Sequence, residues 1–248
     1  MGFYSEYLDR KLKGPELIEE RKMQLRRISE IRQRDVLVFA ADLNKNQAPI
    51  AIGYPDLLPI TDQLQNLKGN ALDFMLETPG GSGEVAEDIV RLLRDQYSSL
   101  AVIIPGWAKS AGTLIAMAAN EILMDGGSAL GPIDAQLSWQ GKTFSADALI
   151  EGFEKIKREV EETQSLNRAY IPMLQGISPG EIQSAENALK FAKILVTRWL
   201  AEHKFSDWTH HSSTGEPVTE EDKKARAREI AEQLVITDSG SRTVAQLS

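Results

Sequence analysis

Apolar residues fall along this chain in two rhythms. Four short runs are nearly continuous: 35–41 (Asp-Val-Leu-Val-Phe-Ala-Ala), 71–76 (Ala-Leu-Asp-Phe-Met-Leu), 100–104 (Leu-Ala-Val-Ile-Ile) and 121–124 (Glu-Ile-Leu-Met). Such runs suit strands covered on both faces, as in parallel sheets. Between them, 83–96 and 110–120 have helical spacing; in the first, Val85, Ile89, Leu92 and Leu93 recur on one side. Strand, helix, strand, helix, strand predicts an α/β fold with right-handed crossovers. Before this block, 15–34 reads as a helix that starts with Pro15 in its first turn and carries only a loose apolar stripe. After residue 145 the pattern is helical. Ser145 caps a helix with Leu149, Phe153, Ile156 and Val160 on one face. Ser178-Pro-Gly-Glu181 is a capping box opening a helix to about His203, and Thr219-Glu-Glu-Asp222 opens a last one through about Leu234. The simplest division is an N-terminal helical arm (1–34), one domain (35–235) and a polar tail (236–248).

Composition narrows the function. With 26% charged and 42% hydrophobic residues in 248, the chain is an ordinary globular one. Its net charge of −8 disfavours nucleic acid, whose phosphates need local positive charge. The basic run Arg21, Lys22, Arg26, Arg27, Arg32 and Arg34 is expected to be a solvated helix face or a subunit arm. The absence of cysteine removes thiolate metal sites and cysteine nucleophiles. The N-terminus has no secretory pattern, Glu6 breaks the myristoylation motif, and no apolar run reaches bilayer length. The expectation is a cytoplasmic protein that meets a membrane only through a partner.

Two loops carry candidate chemistry. Glu77-Thr-Pro-Gly-Gly-Ser-Gly83 follows one strand and opens a helix, and the adjacent Gly80 and Gly81 let backbone approach a ligand closely. Pro105-Gly-Trp-Ala-Lys-Ser-Ala-Gly112 follows the next strand. Ser110 there stands at a helix start, where its hydroxyl serves either as an ordinary cap or as a nucleophile whose oxyanion product meets free N–H groups. Both loops lie at carboxyl ends of neighbouring strands, where α/β folds place their sites. N–H groups of Gly80 or Gly81 and of Ala111 are then candidates for an oxyanion hole around Ser110. Other signals fail. Gln136 stands where a phosphate loop ending in Gly141-Lys142-Thr143 needs its first glycine, and Ala108 where a nucleophile elbow needs one. His210 and His211 have no third ligand at metal spacing. No metal or cofactor is expected, and no Gly-x-Gly-x-x-Gly supports a nicotinamide.

Leu-Glu-Thr-Pro-Gly-Gly (76–81), Ala-Lys-Ser-Ala-Gly-Thr-Leu-Ile-Ala-Met-Ala (108–118) and Leu-Gly-Pro-Ile-Asp-Ala-Gln (130–136) together resemble the Clp/crotonase-fold serine peptidases, in particular the serine dehydrogenase proteinase branch related to signal peptide peptidase A. The likeness runs over roughly 35–235 and includes His211 to Thr219. It implies a spiral of ββα units with a helical C-terminal region, a homo-oligomer, a peptide or protein substrate, Ser110 as nucleophile, and a Gly-Gly oxyanion loop. The segment 130–136 is implied to shape the site. Related peptidases use a helical Lys forty to fifty residues after the Ser. Lys155 and Lys157 fall there, and Lys157 lies beside Ile150 and Phe153 on a helical wheel. A Lys base must be neutral, so it needs desolvation or a neighbouring positive charge. Lys142 lies in a Gly-containing turn, Lys109 is expected to point away from Ser110, and of His203, His210 and His211 none follows the nucleophile helix closely, as a Clp-type triad requires. The tail 236–248 departs from the His- and Gly-containing segment of relatives. Rival readings are a crotonase-like acyl-CoA enzyme and a non-catalytic oligomeric scaffold.

Overall fold

A computed structural model of the chain describes residues 3–42, 45, 50–134, 136–139 and 142–235. The tail 236–248 lies outside the described residues. The helices α1 (Phe3–Asp9) and α2 (Gly14–Arg32) lead into strand β1 (Asp35–Ala40). A 3-10 turn at Tyr54–Asp56 opens α3 (Leu57–Gln65), which is followed by β2 (Ala71–Glu77), α4 (Gly83–Gln96), β3 (Ser99–Ile104), β4 (Trp107–Ala108) and α5 (Ala111–Met117). Then come β5 (Glu121–Met124), β6 (Ala129–Leu130) and the hairpin β7 (Gln136–Trp139) and β8 (Lys142–Ser145). The C-terminal helical part holds α6 (Ala146–Thr163), α7 (Ile171–Leu174), α8 (Pro179–Trp199), a π-helical turn at Leu200–Lys204, and α9 (Glu220–Val235).

The main sheet is parallel throughout, in the order β1-β2-β3-β5. One row of its register runs Leu37, Phe74, Val102, Ile122. The first three are buried, as the unbroken apolar runs require. The expected caps are made. Ser145 Oγ accepts from Ala148 N at 3.1 Å. Ser178 Oγ accepts from Glu181 N at 3.3 Å while the Glu181 carboxylate accepts from Ser178 N at 2.6 Å. Helix α3 has no counterpart in the predicted elements; Ile60 and Leu64 are its buried residues.

The basic run is only partly solvated. Asp73, on β2, is fully buried. Arg32 Nε donates to its Oδ2 at 2.8 Å, and Arg34 Nε lies 2.6 Å from Oδ1. Arg34 Nη2 also donates to the carbonyls of Leu72 and Ser99. A buried carboxylate must be paired, so the end of the arm is fastened to the sheet by charge, although α2 itself buries no residue.

Candidate active site

Strand β3 ends at Ile104, and after a turn β4 runs parallel to the end of β2, with Thr78 paired to Ala108. Thr78 N donates to Trp107 O at 2.9 Å, and Lys109 N donates to Thr78 O at 3.2 Å. This pairing brings Ser110 against the 78–82 loop. Ser110 has φ +50° and ψ −114°, a left-handed conformation costly for a residue with a Cβ. It precedes α5 but makes no side-chain cap; its Oγ donates instead to Asp134 O at 2.9 Å.

The two glycines have different tasks. Gly80 has φ +108°, and a Cβ there would stand 2.7 Å from Ser110 Cβ and 3.3 Å from its Oγ. Its N–H donates to Thr78 Oγ1 at 3.1 Å, so that donor is already engaged. Gly81 has φ +152°, and a Cβ there would overlap the backbone of Ile52. Ile52 holds the loop in place, donating from N to Gly80 O at 2.8 Å and accepting from Ser82 N at 3.0 Å. The N–H groups of Gly81 and Ala111 have no acceptor among the described residues.

A third wall is Gly131 to Asp134. Pro132 O accepts from Ser110 N at 3.2 Å, Gly131 N donates to Ala108 O at 2.9 Å, and Gly131 O accepts from Thr113 Oγ1 at 2.8 Å. Ile133 N donates to Leu234 O, at the end of α9, at 3.0 Å. With the face of α8 that carries Ser184, Asn187, Ala188, Phe191 and Ala192, these walls enclose a cleft of about 720 Å³. Leu114 and Ile133 line it on the other side, with Glu84 and Asp134 also in its lining. Asp147, at the start of α6, has a carboxyl raised above its ordinary value, by burial first and then by Glu151 and Asp134, against the opposing charge of Lys193.

The structure therefore brings Ser110, Gly80, Gly81 and Ala111 together, and does not bring Lys157 to them. Lys157 is 55% exposed, its Nζ is 3.5 Å from Glu154, and it is not among the residues lining the cleft. Helix α6 buries only Ala146, and its apolar stripe is half-buried, so position beside that stripe does not desolvate a lysine. Lys155 is exposed as well. Lys109 points elsewhere, its Nζ 4.8 Å from the Trp107 ring centre. No histidine lines the cleft. His211 stands 3.7 Å from Asp222 and edge-on to Trp208. His203 lies in the π-helical turn, where burial, then Arg94 and Arg198, hold its imidazole down at about 4. Sequence reasoning placed 130–136 at the site without singling out Asp134, and missed Ile52 and the α8 face. The spacing of Ser184, Asn187, Ala188 and Phe191 was the available signal for the last.

Among the described residues no three His, Asp or Glu gather as a metal site would, and no helix is long and apolar enough to cross a membrane. Residues 3–171 match the family described as ClpP-like SDH-type serine proteinase, and the chain belongs to that family. Two curated relatives are uncharacterized proteins of Methanocaldococcus jannaschii. One is 34% identical over 146 residues, covering 55% of this chain and 50% of the relative. The other is 30% identical over 166 residues, covering 63% and 52%. The chain thus spans about half the length of the curated relatives it matches. Among solved structures, a mutant of the 1510-N membrane-bound stomatin-specific protease in complex with a substrate peptide is 25% identical, with 53% of this chain and 61% of that chain covered and a TM-score of 0.34. A ClpP1 mutant from Listeria monocytogenes is 19% identical, with 37% and 50% covered and a TM-score of 0.29.

Proposed function

We propose that the chain is a serine peptidase in which Ser110 attacks a peptide carbonyl, and the N–H groups of Gly81 and Ala111 hold the oxyanion. The tetrahedral intermediate collapses with cleavage of the C–N bond and release of the protonated amine, and water then hydrolyses the acyl-enzyme to a carboxylate and free Ser110. The observation that carries this reading is the backbone of Ser110. An ordinary helix cap needs neither a left-handed φ nor a side chain turned away from its helix and into a cleft. Gly80 supports the reading by leaving room beside Oγ. The site needs no cofactor for this chemistry, the substrate is a peptide or protein, and the working form is a homo-oligomer.

The proton acceptor is the open element. A backbone carbonyl accepts the Ser110 hydroxyl hydrogen bond but cannot take its proton. Lys157 serves as base only where α6, of this chain or of a second copy, brings its Nζ to Oγ and strips it of water. One observation favours a second reading, a non-catalytic scaffold of the same fold: among the described residues no Lys or His lines the cleft. Labelling with a fluorophosphonate probe, mapped by mass spectrometry, separates the two. Adduct on Ser110, absent in Ser110→Ala and weakened in Lys157→Ala, is the expected result. A folded, oligomeric protein that takes no label supports the scaffold.

A further inference from the structure

The charges of the cleft are one-sided. Glu84 and Asp134 line it, and among the described residues no Lys, Arg or His does. Lys193, on α8, neighbours Asp147 and is not among the lining residues. Glu84 sits at the mouth, where its Oε2 accepts from the Tyr54 hydroxyl at 3.2 Å. Asp134 is the less exposed of the two. Its backbone carbonyl holds the Ser110 hydroxyl, so its carboxylate belongs to a residue in direct contact with the nucleophile. Its Oδ1 is buried and has no hydrogen-bond partner among the described residues. A carboxylate oxygen taken out of water without a donor is costly, and native proteins keep few such groups. The lining also includes Leu114, Ile133 and Phe191, which suit an aliphatic stem rather than a small polar group.

We infer that the cleft selects substrates carrying a cationic side chain, lysine or arginine, next to the bond that is cut, its stem against Leu114, Ile133 and Phe191 and its charged head on Asp134, with Glu84 drawing it in at the mouth. This rests on the reading of Ser110 as nucleophile and adds the substrate class. A cation offsets the charge of the two carboxylates, and an acidic residue in the same place meets both of them with no cation among the described lining residues to offset them.

The test measures binding apart from catalysis. Blocked alanine-background peptides carrying a single Lys, Leu or Glu are titrated by calorimetry into the full chain bearing Ser110→Ala. A charge-assisted contact predicts that the Lys peptide binds about tenfold or more tighter than the Leu peptide, with the Glu peptide weakest and the preference shrinking as salt is raised. Adding Asp134→Asn removes most of that preference, and Glu84→Gln, at an exposed position that leaves the fold intact, removes a smaller part. Leu binding as well as Lys, or a Lys preference untouched by both substitutions, overturns the proposal. Fluorophosphonate labelling of the wild type keeps the two readings apart. Lys-selective binding without a labelled Ser110 retains the cationic subsite and rejects the nucleophile, and labelling without Lys selectivity does the reverse.

Discussion

Replacing Ser110 by glycine is expected to leave the protein more stable than replacing it by alanine, which inverts the usual order of these residues. At most positions Ala is favoured over Gly by roughly 0.5–1 kcal/mol, because Gly loses more freedom on folding. At Ser110 the backbone sits at φ +50°, ψ −114°. A Cβ in such a sparsely populated region costs about 1–3 kcal/mol. Both variants lose the hydrogen bond from Oγ to Asp134 O, so that loss cancels in the comparison. Burial of the lone Cβ returns only a few tenths of a kcal/mol to Ala at about 25 cal/mol per Å². The balance leaves Gly ahead by about 1 kcal/mol, or roughly 2–4 °C in melting temperature for a chain of this size. Urea unfolding of the two variants, compared at equal slope, reads the difference directly. Alanine ahead of glycine by the usual margin would mean that Ser110 is unstrained and that its backbone gives no reason to single it out.

Asp73→Asn leaves Arg32 and Arg34 facing a buried neutral amide and is expected to cost about 3 kcal/mol or more, seen as a lower urea midpoint with earlier proteolysis in 20–34; an unchanged midpoint would show that the arm is held by something else. Gly81→Ala, which sets a Cβ against the Ile52 backbone at φ +152°, is expected to abolish Ser110 labelling and lower the melting temperature, and retained labelling at wild-type rate contradicts the assigned loop geometry. His203 is held down at about 4 in the folded state, so the unfolded chain takes up the proton first, at its ordinary value near 6.5. Its contribution is therefore complete above about pH 6.5 and is lost progressively as the pH falls toward 4, screened by the water that reaches the half-exposed ring. Stability curves at pH 4.5 and 7 converge in His203→Gln if this is right, and a slope that survives the substitution belongs to other groups.

The main sheet was legible because its central strands β2 and β3 are buried on both faces and so had to be largely apolar; the predicted 121–124 and 83–96 coincide with β5 and α4. The caps at Ser145 and Ser178 were legible because capping is local chemistry. Helix α3 was not: it is short, with Pro59 in its first turn. Strands β4 and β6, of two residues each, and the β7–β8 hairpin are too short or too polar for a periodic signal. The Asp73 cluster joins residues about forty positions apart, and nothing in a charged side chain names its partner. At the site, glycine adjacency and the run around Ser110 could be read, because close approach demands specific residues. The acceptor of the Ser110 hydroxyl could not, since every residue has a carbonyl. Lys157 illustrates the remaining limit. A helical wheel gives its angle on α6 but not which side of α6 another helix covers, and the contacts of α6 with α8 leave Lys157 in water.

The hydrogen bond from Ile133 N to Leu234 O has a consequence in time. The wall of the cleft that receives the Ser110 hydroxyl is fastened by a carbonyl about a hundred residues further along the chain. A ribosome delivers Ser110, both glycines and Gly131–Asp134 well before it delivers α9. Until that helix docks, Ile133 lacks its acceptor, and the strained serine has no completed wall to hold it. On the proposed reading of Ser110, the site is completed late, after nearly all of the described chain has left the ribosome, and a nascent chain would be spared an active nucleophile beside its own unfolded segments.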